Sequence, residues 1–283
     1  MTYTKAWVTL LTHTKYAVGV QVLARSLQKV QSQYPLVVLY TPATISESVL
    51  NLLSRSGCIT RPTQNILPEG KIDYMWDYYP DTWTKLRAWE LDEFDRVVLL
   101  DADMLCMQNM DELLAMPLQE GWVAACHACT CNLAKISKYP ADWTPENCGY
   151  TGCDKSASIN APPTSKKDYF NSGLIVIEPS KAAFDNIVQT LMATPDPNVF
   201  RFPDQDFLNV VYKGRWEPLP YIYNALKTLP SSHGPMWDIE HVKNAHYILT
   251  KPWDVDMAEA KENNDQFYDL YTLWWNTYAE CWN

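Results

Sequence analysis

The first half of the chain alternates short apolar runs with segments whose apolar residues fall on one helical face. Ala6 to Leu11 is a strand candidate, and Val22, Leu23, Leu27 and Val30 recur at helical spacing within Val18 to Val30. Leu36 to Tyr40 is a second β-favouring run, stopped by Thr41-Pro42. Ser46 stands where an N-cap would open a helix with Val49, Leu50 and Leu53 on one face. Lys85 to Leu91 predicts a further helix, Arg96 to Leu100 a buried strand running into Asp101, and Asp111 to Ala115 a short helix closed by Pro117. Strands flanked by helices predict an α/β fold with a mostly parallel central sheet covered on both faces. Ligands of such sheets bind beyond the carboxyl ends of the strands, which is where Asp101 and Asp103 fall.

From Cys126 to Asp168 the pattern breaks. Five cysteines (Cys126, Cys129, Cys131, Cys148 and Cys153) share this stretch with several prolines and glycines and the polar run Thr164-Ser165-Lys166-Lys167. Long loops in compact domains are mostly functional or disordered, and the stretch reads as an insertion. Order resumes with a strand over Leu174 to Ile177 and a helix over Ala182 to Met192. A further helix covers Asp204 to Tyr212, with Pro203 near its start. Phe267 to Trp282, rich in Tyr and Trp, predicts a helix packed on the body. The expected organisation is one domain over 1–255, interrupted by the insertion at 126–168, and a helical tail over 256–283.

Composition narrows the partners. The 283 residues are 47% hydrophobic, enough for one large core or one domain with a small appendage. A formal net charge of −10 leaves no basic footprint for nucleic acid, so none is expected as a partner. In the same field a diphosphate ligand would need local cations or a metal. The 12 Trp and 17 Tyr fill a core or line a cleft, uses that composition does not separate. No apolar run approaches the roughly 20 residues of a membrane span, and the run Trp7 to Leu11 is too short for a signal peptide. The expectation is a cytoplasmic chain with no membrane partner and reduced thiols.

Asp101-Ala102-Asp103 is the strongest local feature. Two carboxylates one residue apart at the end of a buried strand are costly to keep ionised without a counter-cation. Hard oxygen ligands suit Mg²⁺ or Mn²⁺, which can bridge a diphosphate; the alternative is a solvated acidic turn. His246, in the run His246 to Trp253, is either a structural histidine or a metal ligand, and Lys251 follows at a distance from which it can meet a phosphate. Lys85 opens a predicted helix. Asn171-Ser172-Gly173 precedes a strand and is equally an ordinary turn. Asp204-Gln205 follows a proline, where an aspartate can simply serve the helix N-terminus.

The order of these signals is more specific than any one of them. An early Thr-Leu-Leu-Thr strand is followed by Thr84-Lys85-Leu86, Asp101-Ala102-Asp103-Met104, Phe170-Asn171-Ser172-Gly173 and Asp204-Gln205. Leu219-Pro220-Tyr221-Ile222-Tyr223-Asn224 and the segment His246 to Trp253 complete the series. From about Ala6 to Trp253 the chain resembles glycosyltransferase family 8, the family of glycogenin and the plant galactinol synthases. The resemblance implies a Rossmann-like GT-A fold, a UDP-sugar donor and Mn²⁺, with Mg²⁺ as a possible substitute. By position, Asp101, Asp103 and His246 match the family's metal ligands. Leu10, Thr12 and Tyr16 match the uridine pocket, with Tyr16 stacked on the uracil. Lys85 and Lys251 match contacts to sugar and phosphate, Ala102 and Gly173 sit inside donor-binding motifs, and Asn171, Ser172, Asp204 and Gln205 match the donor-sugar pocket. Asp204, Gln205 and Lys85 are the expected catalytic residues.

Departures from glycogenin refine the expectation. His13 stands where glycogenin carries Asn, Trp76 where it carries a donor-side Arg, and Leu249 where the family usually has Gly. The tyrosine that glycogenin glucosylates on itself falls near Ser231, with no Tyr between Tyr223 and Tyr247. The cysteine-rich insertion resembles one in galactinol synthases. Its irregular spacing favours ordinary reduced thiols, with a structural zinc site as the alternative. The resulting expectation is a retaining hexosyltransferase that moves galactose or glucose from a UDP-sugar to a small polyol such as myo-inositol. A glycan or protein acceptor, and an inactive nucleotide-sugar-binding scaffold, are the competing readings. Asp204 is the candidate nucleophile, against a same-face route in which Gln205 steadies the oxocarbenium-like state.

Overall fold

The computed structural model describes residues 3–70, 72–76, 79–162 and 168–282. The run at 164–167 lies outside them. The strands are β1 (Lys5–Leu11), β2 (Leu36–Tyr40), β3 (Ile59–Pro62), β4 (Arg96–Leu100) and β5 (Met104–Cys106). They continue with β6 (Val123–His127), β7 (Phe170–Ile177), β8 (Trp216–Leu219), β9 (Ala225–Leu226) and β10 (Asn244–His246). Seven form a central sheet in the order β3-β2-β1-β4-β7-β6-β8. Pairings β1–β2, β1–β4, β2–β3 and β6–β8 are parallel. The sheet is therefore mostly parallel, but β7 runs antiparallel to both β4 and β6.

The central strands read as unbroken apolar runs because both faces of the sheet are covered. Trp7, Val38, Val98, Leu100, Leu174 and Val176 face one core, shared with the Ala17–Lys29 helix. Their neighbours Val8, Val37, Leu39, Val97, Leu99 and Ile175 face the other, with Trp83, Trp89, Phe184 and Phe207. Helices Glu47–Arg55, Lys181–Met192 and Pro203–Val211 match the expected ones to within a residue or two. Ser46 occupies the N-cap position, but its hydroxyl meets Ser48 Oγ instead of a backbone N–H. The segment around Lys85 is helical as expected, in the 3₁₀ form over Trp83–Glu90. Val123 to His127 form a fully buried strand, so Cys126 and His127 belong to the sheet and the insertion begins at Ala128.

A second, three-stranded sheet, β5-β10-β9, sits beyond the end of β4. There His246 is registered against Met104 on one side and Leu226 on the other. A third core under it combines Tyr221, Leu229, Tyr247 and Tyr271 with Trp274 of the C-terminal helix Tyr268–Ala279. That helix packs on Ala17–Lys29. Among the described residues no helix is long and apolar enough to cross a membrane.

Candidate active site

Asp101-Ala102-Asp103 is the link between the two sheets, since β4 ends at Leu100 and β5 begins at Met104. The Asp101 N–H donates to the Gly173 carbonyl at 2.9 Å, and the Tyr247 N–H donates to the Asp103 carbonyl at 2.9 Å. These two bonds fasten the link to β7, which carries Asn171-Ser172-Gly173, and to the residue after β10, which ends in His246. Segments more than 140 residues apart in sequence thus converge by backbone pairing. His246 Nε2 lies 3.7 Å from Asp101 Oδ2 and 3.4 Å from Asp103 Oδ1. Ligand atoms of Asp101, Asp103 and His246 all lie within 4.8 Å of one another.

The imidazole is aimed by groups behind it. Its Nδ1 is 2.8 Å from Asn224 Oδ1, and Asn224 Nδ2 donates at 2.8 Å to Asn171 Oδ1, which also accepts from the Gly173 N–H at 3.0 Å. Because Asn224 uses its NH₂ on Asn171, its carbonyl oxygen must accept from Nδ1–H. In the neutral ring that leaves the Nε2 lone pair facing the two carboxylates. Gly173 makes the approach possible: a Cβ there would fall 2.5 Å from His246 Cε1. Gly173, expected among the donor contacts, therefore serves from behind the ring.

Two lysines answer the buried acids. Lys85 Nζ lies 2.7 Å from Asp101 Oδ1 and 3.1 Å from Asp204 Oδ2, while Lys251 pairs with Asp103 Oδ2. Burial works against the Lys85 ammonium, but the Asp101 and Asp204 carboxylates outweigh it and hold its pKa above the ordinary lysine range. For Asp103, burial alone would raise the carboxyl pKa; Lys251 and His246 more than offset it and hold the group well below the usual range. Burial pushes Asp101 up, and Asp103 adds to this against the pull of Lys85. Asp204, in the first turn of its helix, also accepts from Ser172 Oγ at 2.8 Å. Its carboxylate therefore serves the site as well as the helix N-terminus. Gln205 Oε1 accepts from Asn171 Nδ2 at 2.9 Å and from the Ser172 N–H at 3.2 Å, and its Nε2 donates to Tyr169 Oη at 2.8 Å.

Two clefts meet at this cluster. A smaller one of about 660 Å³ is walled by Leu10, Thr12, His13, Tyr16, Asp81 and Ala102, with Asp101, Asp103, Lys85 and Lys251 at its inner end. The larger, about 1750 Å³, shares those four residues. It continues past Asn171, Ser172, Asp204, Gln205 and His246 to aromatic walls that include Trp76, Tyr139 and Trp143. Tyr16 meets the edge of Trp253, whose ring in turn packs where Gly19 leaves room. The expected donor-side residues line these two clefts, except Gly173, which lies behind His246.

Several participants were not singled out. Asn224 lay inside a quoted motif, but a buried asparagine has no linear mark of its partner. Asp81, 2.7 Å from His13 Nε2, and Tyr169 carried no pattern. Leu249 adopts φ +63°, the left-handed region where glycine is at ease, which explains the glycine usual there.

The model of glycosyl transferase family 8 matches residues 7–256. Galactinol synthase 1 of Ajuga reptans is 33% identical over 98% of the chain and 81% of its own length. Galactinol synthase 7 of Arabidopsis thaliana is 33% identical over 98% and 82%. In fold, the chain superimposes on the galactosyltransferase LgtC, solved with donor and acceptor sugar analogues. The TM-score is 0.60, covering 95% of this chain and 94% of that one at 19% identity. With a GT-A architecture and a family match across nearly all of its length, this chain belongs to glycosyltransferase family 8 and is a glycosyltransferase.

Proposed function

We propose that the chain is a retaining hexosyltransferase that takes UDP-galactose or UDP-glucose with Mn²⁺, Mg²⁺ being a substitute, and glycosylates a small polyol such as myo-inositol. The observation that carries this reading is the convergence of Asp101, Asp103 and His246 where the two clefts join. The donor set fits a divalent ion: two carboxylate oxygens and an imidazole nitrogen, its lone pair turned toward them, are ligand types that Mn²⁺ takes. Such an ion, when bound, neutralises charge on a leaving diphosphate. Leu10, Thr12 and Tyr16 would take the nucleoside in the smaller cleft, with Lys85 and Lys251 turned to the phosphates. Asn171, Ser172, Asp204 and Gln205 would hold the sugar at the mouth of the larger cleft. The likeness to galactinol synthases supports the polyol acceptor.

The hydrogen bonding around Asp204 favours transfer on one face. Asp204 Oδ2 already receives Lys85 and Ser172, donors that draw charge away from an attack on carbon. In the same-face route the bond from C1 to the diphosphate breaks with its electron pair on the leaving oxygen. The acceptor oxygen bonds C1 on that face, and its proton passes to the departing phosphate. Gln205, fixed by three hydrogen bonds, presents a preorganised dipole to the developing positive charge. Asp204→Asn should then fall well short of the roughly 10⁴-fold or greater loss that removing a nucleophile causes. A larger loss with a trapped glycosyl-enzyme would establish the covalent route instead.

Hydrolysis and transfer with UDP-galactose, UDP-glucose and UDP-GlcNAc, with Mn²⁺ and with or without myo-inositol, test the reading. Donor turnover that rises with inositol supports it, and binding without turnover would mark a scaffold. Asp103→Ala should abolish transfer and metal-dependent UDP binding together; transfer persisting in EDTA would refute the metal assignment.

A further inference from the structure

A second cluster of metal-ligating side chains lies outside the triad. Cys129 and Cys131 follow β6, Cys148 closes the 3₁₀ turn Pro145–Asn147, and His233 follows the short helix Leu229–Ser232. His233 Nε2 lies 3.5 Å from Cys129 Sγ, 3.2 Å from Cys131 Sγ and 3.3 Å from Cys148 Sγ. Cys148 Sγ lies 3.8 Å from Cys129 Sγ, and ligand atoms from all four residues fall within 4.8 Å of one another.

We propose that Cys129, Cys131, Cys148 and His233 form a structural zinc site. Zinc bound at about 2.3 Å to sulfur and about 2.0–2.1 Å to nitrogen, in a tetrahedron, sets S···S edges near 3.8 Å and S···N edges near 3.6 Å. The observed separations come within about 0.4 Å of those edges without any rearrangement of the chain. Three thiolates and one imidazole fill the coordination shell with protein, which is the pattern of a site that holds structure and leaves no position for substrate. The surroundings agree. Cys131, Cys148 and His233 are buried, and Tyr150 packs edge-on against the His233 ring while its hydroxyl donates to the His127 carbonyl at 2.9 Å.

The irregular cysteine spacing that favoured ordinary thiols is explained by the fold. The fourth ligand is a histidine 85 residues beyond Cys148, so no cysteine-only motif exists to be read. Cys126 is not part of the set: its thiol points to the Pro220 carbonyl.

The site ties the insertion to the Leu229–Ser232 helix, and both line the larger cleft, through Cys129, Asn132 and Leu133 on one side and Thr228, Ser231 and Ser232 on the other. Zinc would therefore fix the width of the larger cleft, whose reach beyond the proposed sugar pocket would receive the acceptor. Only this last consequence rests on the proposed function.

Elemental analysis of the purified full chain should find about one zinc per chain that survives a brief EDTA wash, with thiol titration in denaturant before and after metal release. Cys131→Ser should lose that zinc, His233→Cys should retain it through a fourth thiolate, and Cys126→Ser should leave it unchanged. Cobalt in place of zinc should give a thiolate charge-transfer band, absent from Cys131→Ser. Because His233→Cys keeps four ligands, it guards against misreading a folding failure of Cys131→Ser. Substoichiometric zinc in the reduced protein, zinc retained by soluble Cys131→Ser, or a disulfide among the three cysteines in the freshly isolated protein would each overturn the proposal. Loss of zinc should raise acceptor KM severalfold while donor hydrolysis persists. The metal stoichiometry stands or falls independently of any transferase activity.

Discussion

Gly173→Ala isolates the packing that aims His246. The added Cβ would lie 2.5 Å from His246 Cε1, 2.9 Å from its Nδ1 and 2.9 Å from Asn171 Oδ1, where ordinary contact begins at 3.4 Å. The ring must therefore retreat by about 0.9 Å, the difference between 3.4 and 2.5 Å. It has little freedom to do so, being 3% exposed and bonded to Asn224 through the nitrogen that is crowded. Overpacking of this kind costs about 1–3 kcal/mol, which in a chain of this size lowers Tm by a few degrees. The functional effect should be larger than the thermal one. A shift approaching 1 Å at one of the three proposed ligands should weaken metal binding by about 10–100-fold, the range found when groups that orient metal ligands are lost. Titration of Mn²⁺ in a donor-hydrolysis assay, beside calorimetric Tm in EDTA, reads both. A variant with wild-type Mn²⁺ dependence would refute the claim that Gly173 sets the position of His246.

Asn224→Ala should also cost about 10–100-fold in Mn²⁺ affinity, and Asn224→Asp, which keeps the acceptor for Nδ1–H, should lose less; equal losses would remove Asn224 as the orienting group. Lys251→Ala leaves the buried Asp103 carboxylate without its ammonium partner, so a loss of about 3–5 kcal/mol is expected by chemical denaturation in EDTA. Added Mn²⁺ should restore much of it, and an equal loss in both conditions would separate Lys251 from the metal site. Leu249, at φ +63° and exposed, carries about 1–2 kcal/mol of left-handed strain. Leu249→Gly should leave Tm level or slightly raised, whereas the β-branched Leu249→Val should lower it.

What the sequence made legible follows from how far each interaction reaches. Strand β4 announces itself because it is buried on both faces, and a strand so buried is apolar without interruption. Asp101 and Asp103 are visible against it for the same reason. The short strands β5, β9 and β10 were not visible, because two or three residues cannot show a period. Yet they deliver His246, and in a linear reading that histidine had only its place in the family order to set it apart from a core residue. β7 gives no sign of its antiparallel direction, since a strand buried on both faces reads alike in either sense.

The same limit separates the two clusters of metal-ligating residues. At the triad, two of the three proposed ligands stand one residue apart at a strand end, so local chemistry already points to a cation. At the second cluster, Cys129 and Cys131 are local, but Cys148 lies across a loop and His233 in a separate element. Its fourth ligand is recognisable only once the Leu229–Ser232 helix is seated against the insertion. A ligand set of that kind is held by tertiary contacts alone, among them Tyr150 against the His233 ring and the packing of Cys131, Cys148 and Tyr150 with Leu229. The width of the larger cleft should then depend on bonds that no motif records, so loss of the ion through His233→Ala should alter acceptor use, whereas His233→Cys, which keeps a fourth ligand, should leave it near wild type, although His233 is no part of the Asp101, Asp103 and His246 triad.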